Sequence, residues 1–390
     1  MFMHYTLKDD HQTIRDTIAK ICSEFGDDYW FERDQQGGFP EDFYQALATS
    51  GWLGICTPEA YGGSGLGITE AAIMMQAIAE AGGGMSAASS IHINMFGLNP
   101  VVVFGTEEQK QRMLRPMVEG REKTCFGVTE PNVGLNTTQL KTRAVRDGDR
   151  YIVSGQKVWI STAQVAEKIL LLARTTPLEE VSKPTMGLSL FHTDLDRSKI
   201  DVREIEKMGR KCVDSNELFI DGLEVPIEDR IGEEGRGFEY ILHGLNPERV
   251  LIAAEAIGLG RLALQRATEY AKERVVFDRP IGQNQSIQHP LAINWANLEA
   301  SRLMVMAAAE QYDNDENCGA AANAAKYLAG EAAFDACQQA VMTHGGYGYA
   351  KEYHVERYLR EVMVPRIAPI SPQLALSYIA ERVLGLPKSY

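Results

Sequence analysis

At 390 residues, 45% hydrophobic and 24% charged, the chain has an ordinary globular composition and enough length for a large core in two or three domains. A net charge of −14 argues against a nucleic-acid partner, yet leaves room for a local basic patch facing an anionic substrate. No run of about 18 uncharged apolar residues appears, so no membrane span is expected.

The start, MFMHYTLKDDHQTIRDTIAKI, has early acids and places Ile14, Ile18 and Ile21 at helical spacing. It reads as an amphipathic helix rather than a signal or transit peptide, and a cytoplasmic setting is expected. EDFYQALATSGWLGI gives a second helix its apolar face, with turn chemistry in QQGGFP and PEAYGGSGLG. From Thr69 or Glu70 a long run rich in Ala, Met and small residues follows, in which His92 reads as a satisfied core or rim histidine. The charged helix in EEQKQRMLRPMVEG closes a helical region over residues 1–123. Cys22, Cys56, Cys125, Cys212, Cys318 and Cys337 show neither CxxC nor metal spacing; they read as reduced core residues, with no metal site.

Residues 124–235 change period. YIVSGQKVWI, KILLLART, GLSLFHTD and NELFIDGLEVP alternate between Gly, Pro, Asp and Lys turns, the pattern of an antiparallel sheet or barrel. Thr124–Thr162 holds two strand runs that end in hydroxyls, Thr129 and Ser161, with Trp159 nearby. Such a stretch suits a flat polar aromatic ligand; an ordinary meander with a buried Trp is the alternative. No GxGxxG follows a strand here, so a dinucleotide-binding βαβ unit is not supported.

Residues 236–390 return to helix, as in a bundle. About forty residues from Gly237 are periodic, and Pro247 is expected to bend that helix or mark its effective start. A second long helix passes Trp295 and Glu310, a third runs from Ala320 to Met342, and a last begins near Ser371. Glu248 shares a face with Leu251, Ile252 and Glu255, which would leave its carboxylate partly desolvated and more basic. Pairing with a neighbouring arginine is the alternative for Glu248, and Glu255 reads as half of an internal ion pair.

FGVTEPNVGL and YIVSGQKVWIS, then GLNPERVLIAAEAIGLGRLAL, ERVVFDRPIGQNQSIQ and HGGYGYAKEYHVERYLRE, resemble in order the motifs of the acyl-CoA dehydrogenase family. The resemblance implies an α+β fold: an N-terminal α-helical domain, a middle antiparallel β domain that binds flavin, and a C-terminal four-helix bundle. It implies FAD, an acyl-CoA substrate, and α,β-dehydrogenation to the trans-2-enoyl-CoA, as in fatty-acid β-oxidation. A carboxylate would take the α-proton while the β-hydride passes to flavin N5, and electrons would leave through an electron-transferring flavoprotein. A homotetramer, built as a dimer of dimers, is also implied. A flavin oxidase or monooxygenase on the same scaffold and a catalytically silent acyl-CoA-binding homologue are the alternatives.

Most of the family carries its base after the HGGYG motif, where this chain reads RIAPISPQ with Pro369 in the glutamate's place. Glu248, in LNPERVLIA, matches the alternative base of the isovaleryl-CoA and long-chain members, whose acyl chains are branched or long. Pro369 has no N–H for the thioester oxygen; Ile370 or Ala368 is the candidate replacement. By the same resemblance Phe126, Val128, Thr129, Gly134 and Leu135 run along the flavin, and Trp159, Ile160 and Ser161 cover its ring. Arg274, Phe277 and Gln285 would reach a neighbouring subunit's flavin, with Met342, His344, Gly345, Gly346, Ser371 and Gln373 completing the cofactor set. Asn246, Arg249, Leu135 and Ile370 would contact the substrate. Leu135 and Asn136 stand where the family usually has Ser-Asp, which removes one hydroxyl contact.

Overall fold

The computed structural model describes residues 8–389, so the first seven residues of the expected N-terminal helix lie outside it. The N-terminal part is helical: α1 (Asp9–Cys22), α2 (Asp27–Gln36), α3 (Glu41–Thr49), α4 (Ile68–Glu80), α5 (Gly84–Phe96), α6 (Asn99–Phe104) and α7 (Glu107–Val118). In α1, Asp9 and Asp10 open the first turn and Lys20 closes the last, matching the helix dipole, while Ile14, Ile18 and Cys22 are buried. The long Ala- and Met-rich run is two helices. Gly82 (φ 101°) and Gly84 (φ 60°) adopt left-handed backbone that turns the chain between α4 and α5. Gly84–Phe104 is long and apolar enough by composition to cross a membrane, but 61% of that stretch is buried in the core, and it spans two helices.

The middle part holds β1 (Thr124–Gly127), β2 (Arg143–Asp147), β3 (Arg150–Ser161), β4 (Lys168–Arg174), β5 (Leu188–Asp194), β6 (Ile200–Glu204), β7 (Ser215–Pro226) and β8 (Arg230–Ile231). They form one eight-stranded sheet in the order β6-β7-β3-β2-β4-β5-β8, with β1 paired to β4. The sheet is antiparallel except at β4, which runs parallel to β1 from Thr124↔Lys168 to Gly127↔Leu171 and to β2 at Arg143↔Arg174. The β2–β3 hairpin lies between β1 and β4 in sequence, giving the long crossover that a parallel pair requires. Tyr151, Val153, Leu171, Leu218 and Val225 fill one inner face.

The C-terminal part comprises α8 (Gly237–Glu273), the short pair β9 (Val275–Val276) and β10 (Arg279–Pro280), α9 (Gln285–Asp313), α10 (Gly319–His344), α11 (Val355–Glu361), α12 (Met363–Ile367) and α13 (Pro372–Arg382). The 37-residue α8 is the central member, packed on α4, α5, α9 and α10. Pro247 lies inside it and does not set its start, because helical structure begins at Gly237. Gly258 permits its closest approach: a Cβ there would stand 2.3 Å from Gln76 O of α4. Two contacts knit the parts together. Asp313 at the end of α9 accepts the Ile68 and Thr69 N–H groups at 2.8 Å each, capping α4. Arg360 of α11 grips both oxygens of Asp34 in α2 (3.0 and 2.7 Å) and donates to Met208 O (2.9 Å) in the loop between β6 and β7. The six cysteines are free thiols, five of them buried.

Candidate active site

Glu248 lies on the α8 face toward α5. Burial raises its carboxyl to a pKa of about 7; the charges of His92 and Arg249 pull it down and that of Glu255 pushes it up. Among the described residues no cation stands within 4.0 Å of it, so the arginine pairing considered from sequence is not what the fold makes. Arg249 Nη1 instead donates to Asn246 Oδ1 at 2.7 Å. Glu255, two turns further along α8, is fully buried and meets His92 of α5, with Nδ1 and Oε1 2.5 Å apart. Burial alone would lower the His92 pKa; the Glu255 carboxylate outweighs it and the net shift is upward. Phe96, one turn beyond His92, packs edge-on against that ring (4.9 Å) and against Phe126 of β1 (5.6 Å). This run of rings joins the Glu248 neighbourhood to the β domain.

There the strand β3 breaks its register against β7 between Lys157 and Ile160. The irregularity puts both Lys157 and Val158 inside and turns Trp159 out, with φ 62° and 59% exposure. Left-handed backbone at a bulky residue costs of order 1–3 kcal/mol and persists where the surroundings impose it. Those surroundings are a buried ion pair. Lys157 Nζ donates to Glu130 Oε1 (3.1 Å) and Val128 O (3.0 Å), and Glu130 also accepts the N–H groups of Lys141 (2.7 Å) and Thr142 (2.9 Å). Burial lowers Lys157 to a pKa of about 8, and Lys157 in turn holds Glu130 below the usual carboxylate range against its own burial. Val158 N–H donates to Thr129 O at 2.9 Å, fixing the two hydroxyl-ended runs side by side. Phe126, Val128, Thr129 and Ser161 are half-buried around Trp159, and Leu135 is exposed at 54%. The Ile160 side chain points into the β core, which leaves its main chain for any ligand.

The candidates from the C-terminal part face outward. Arg274 caps α8 and lies over the Tyr347 ring at 5.5 Å. Phe277 (93%), Met342 (67%) and Tyr349 (88%) are exposed, as are Gln285 and Gln373. His344 is engaged: Nδ1 meets Ala340 O at 2.8 Å, and the ring stacks on Tyr270 at 4.2 Å. A Cβ added at Gly134, Gly345 or Gly346 would meet nothing within 4 Å, so packing inside this chain does not call for glycine there. In the Pro369 loop, Ala368 N–H is already donated to Val364 O (2.8 Å), while Ile370 N–H has no partner among the described residues. Lys326 of α10 holds this loop by donating to Arg366 O (3.0 Å) and Ile370 O (2.6 Å). Ser371 caps α13 through Leu374 N–H at 3.2 Å.

Three family models tile the chain: the acyl-CoA dehydrogenase N-terminal domain over residues 8–121, the middle domain over 125–223 and the C-terminal domain over 235–384. This chain belongs to the acyl-CoA dehydrogenase family. It is 35% identical over 386 residues to the acyl-CoA dehydrogenase fadE12 of Mycobacterium bovis, covering 98% of each chain. It is also 35% identical over 353 residues to the caffeyl-CoA reductase-Etf complex subunit CarC of Acetobacterium woodii, covering 89% of this chain and 92% of that one. The solved butyryl-CoA dehydrogenase of Megasphaera elsdenii superimposes with a TM-score of 0.92 at 29% identity, covering 98% of this chain and all of that one. For an acyl-CoA dehydrogenase the arrangement is chemically coherent: a carboxyl poised near neutrality on one helix, without an ion-pair partner among the described residues, and a strained tryptophan on the adjoining sheet. The Lys157–Glu130 pair was not singled out from sequence; its only signal was a lysine inside the apolar β3 run and a glutamate just past β1.

Proposed function

We propose that the protein is an FAD-dependent acyl-CoA dehydrogenase in which Glu248 removes the α-proton, as in the isovaleryl-CoA and long-chain subgroup. The observation that carries this is the state of Glu248: a carboxyl with no ion pair among the described residues, with a pKa of about 7, on the helix face beside α5. A base so tuned is about half ionised at neutral pH and strong enough to take a proton made acidic by a thioester. Ile370 N–H, unlike Ala368 N–H, is free to bond the thioester oxygen, so the proline at 369 shifts the donor by one residue rather than abolishing it.

The residues present fit FAD. Trp159, Thr129 and Ser161 offer a ring surface and hydroxyls, and Gly134, Gly345 and Gly346 leave main chain open to close approach. When bound, FAD supplies the hydride acceptor. The exposed Phe277, Met342 and Tyr349 support a homotetramer in which this face of one subunit meets another, so Arg274, Phe277 and Gln285 complete a neighbour's site. The Etf complex of the relative CarC supports an electron-transferring flavoprotein as acceptor. Acyl-CoA turnover in the cytoplasm, as a step of acyl-chain degradation, is the setting this implies.

Anaerobic mixing of the yellow protein with straight, branched and ω-substituted acyl-CoAs tests the reading. Loss of the oxidised-flavin band with any of them supports dehydrogenation. A panel that perturbs the spectrum without bleaching it would sink this function. Oxygen consumption in place of flavoprotein-linked turnover would assign the oxidase alternative.

A further inference from the structure

We propose that the acyl group taken by this enzyme carries a carboxylate at its far end, bound between Arg210 and His92 where α5, α8 and the loop before β7 meet. The proposal rests on the dehydrogenase reading above and on Glu248 marking where the α-carbon lies.

Arg210 enters from the β domain on a left-handed residue (φ 55°), which turns its side chain toward α5. Its Nη1 donates to Ser89 Oγ at 2.8 Å, and Ser89 and His92 are three residues apart, neighbours on one face of that helix. His92 is held from the other side by Glu255 at 2.5 Å. The His92 ring nitrogen that does not face Glu255 is therefore a donor of fixed direction whenever the ring is protonated.

Charge decides what such a site accepts. Among the described residues no carboxylate lies within 4.0 Å of the Arg210 guanidinium, and its Nε is buried without a hydrogen-bond partner. Three carboxylates, Glu361, Glu255 and Asp214, act on it from further away, and all are already held. Glu255 is bound to His92, while Glu361 accepts Ser86 Oγ (2.6 Å) and Arg357 Nη1 (3.2 Å). The Asp214 carboxylate in the same loop accepts from Gln164 N–H at 3.1 Å and from Asn216. Lys207 adds a further cation in that loop. Around His92 the carboxylates are Glu255, which it contacts, and Glu248, the proposed base; among the described residues neither reaches within 4.0 Å of Arg210, whose guanidinium keeps no direct counter-ion. A desolvated guanidinium without a counter-ion is costly, and a ligand carboxylate is the group that relieves it.

Spacing sets the length. Glu248 and Glu255 are seven residues apart on one helix face, about 10 Å along its axis, so the carboxylate belongs several carbons beyond the thioester. A plain alkyl chain would cover two cations with methylenes and return no hydrogen bond.

The test compares CoA thioesters of one chain length ending in methyl, hydroxyl or carboxylate. Binding is read by calorimetry and reduction by flavin bleaching. The carboxylate-ended thioester is expected to bind and react on the order of tenfold better than the methyl-ended one, with Arg210→Gln bringing that ratio near one. Ser89→Ala, which keeps the cation but frees it, should lower the ratio in part. Equal or better use of the methyl- or hydroxyl-ended thioester by the wild-type protein overturns the proposal while leaving the dehydrogenase reading intact. Preferential binding of the carboxylate-ended compound without bleaching by any thioester supports the site and sinks the dehydrogenase reading. Absence of both binding preference and bleaching overturns both.

Discussion

His92 Nδ1 stands 2.5 Å from Glu255 Oε1, and the same imidazole lowers the pKa of Glu248 two turns back along α8. One histidine therefore links a fully buried carboxylate to the proposed base. With Glu248 near 7, flavin reduction should rise with pH through that value and level off above it, and the rate at pH 6 should be about a tenth of the plateau. Removing the positive charge by His92→Gln should move the midpoint upward. Stopped-flow bleaching across pH checks both, and an unmoved midpoint in the variant would break the link.

Glu248→Gln should separate chemistry from folding. Loss of the base is expected to slow reduction by about 10²–10⁴-fold while acyl-CoA still perturbs the flavin spectrum. Stability should move the other way. The folded pKa of Glu248 stands above its ordinary value, so the ionised form is disfavoured by folding, and stability falls as pH rises from the carboxylate range through about 7. At pH 8 the neutral variant should be more stable by about 1 kcal/mol, a figure reduced because the group is partly open to solvent. Denaturant melts at pH 5 and pH 8 decide it, since the gain should vanish at the lower pH.

Lys157→Met strands Glu130 in the β domain. Breaking a buried pair from one side costs about 3–5 kcal/mol, and the Glu130 carboxylate also fixes the Lys141 and Thr142 N–H groups. The expected result is a protein that melts earlier and sheds flavin on dilution. Adding Glu130→Gln to the same chain should restore part of the loss.

Trp159→Gly should uncouple backbone from ring. Glycine accepts φ 62° without strain, so the flavin-free protein should be no less stable than the parent, while flavin retention falls because the exposed ring is gone. Equilibrium dialysis of FAD against both proteins measures this, and equal retention would remove Trp159 from the site.

Phe277→Asp places a charge on a residue 93% exposed in the single chain. Light scattering should report a smaller assembly, and bound flavin should decline with it. An unchanged mass would mean that this face is not buried between subunits.

Much of this was legible in the sequence because it is local. The change from helical period to alternation near residue 124 and back near 236 follows from which faces are buried, whereas the run from Thr69 was read as one stretch and the left-handed Gly82 and Gly84 split it into α4 and α5. Glu248 on one face with Leu251 and Ile252 announced a carboxylate in an apolar setting. Trp159 was harder: strict alternation puts it on the same side as Lys157, and only the irregularity against β7 sends them to opposite sides. Arg210 was invisible. Its meaning comes from Ser89, 121 residues away, and from a β-domain loop folding onto a helical one. Long-range pairing of polar groups leaves no period to read.

The grip of Arg360 on Asp34, Glu356 and Met208 O ties a first-domain helix, a last-domain helix and the loop that carries Arg210 to a single guanidinium. Cys212 and Val213 of that loop are buried in the same core as the two helical parts. The loop is thus a keystone rather than a flap: it holds its place only while both helical parts are folded around it, so recognition at the far end of the acyl chain is lost and regained together with the whole tertiary structure.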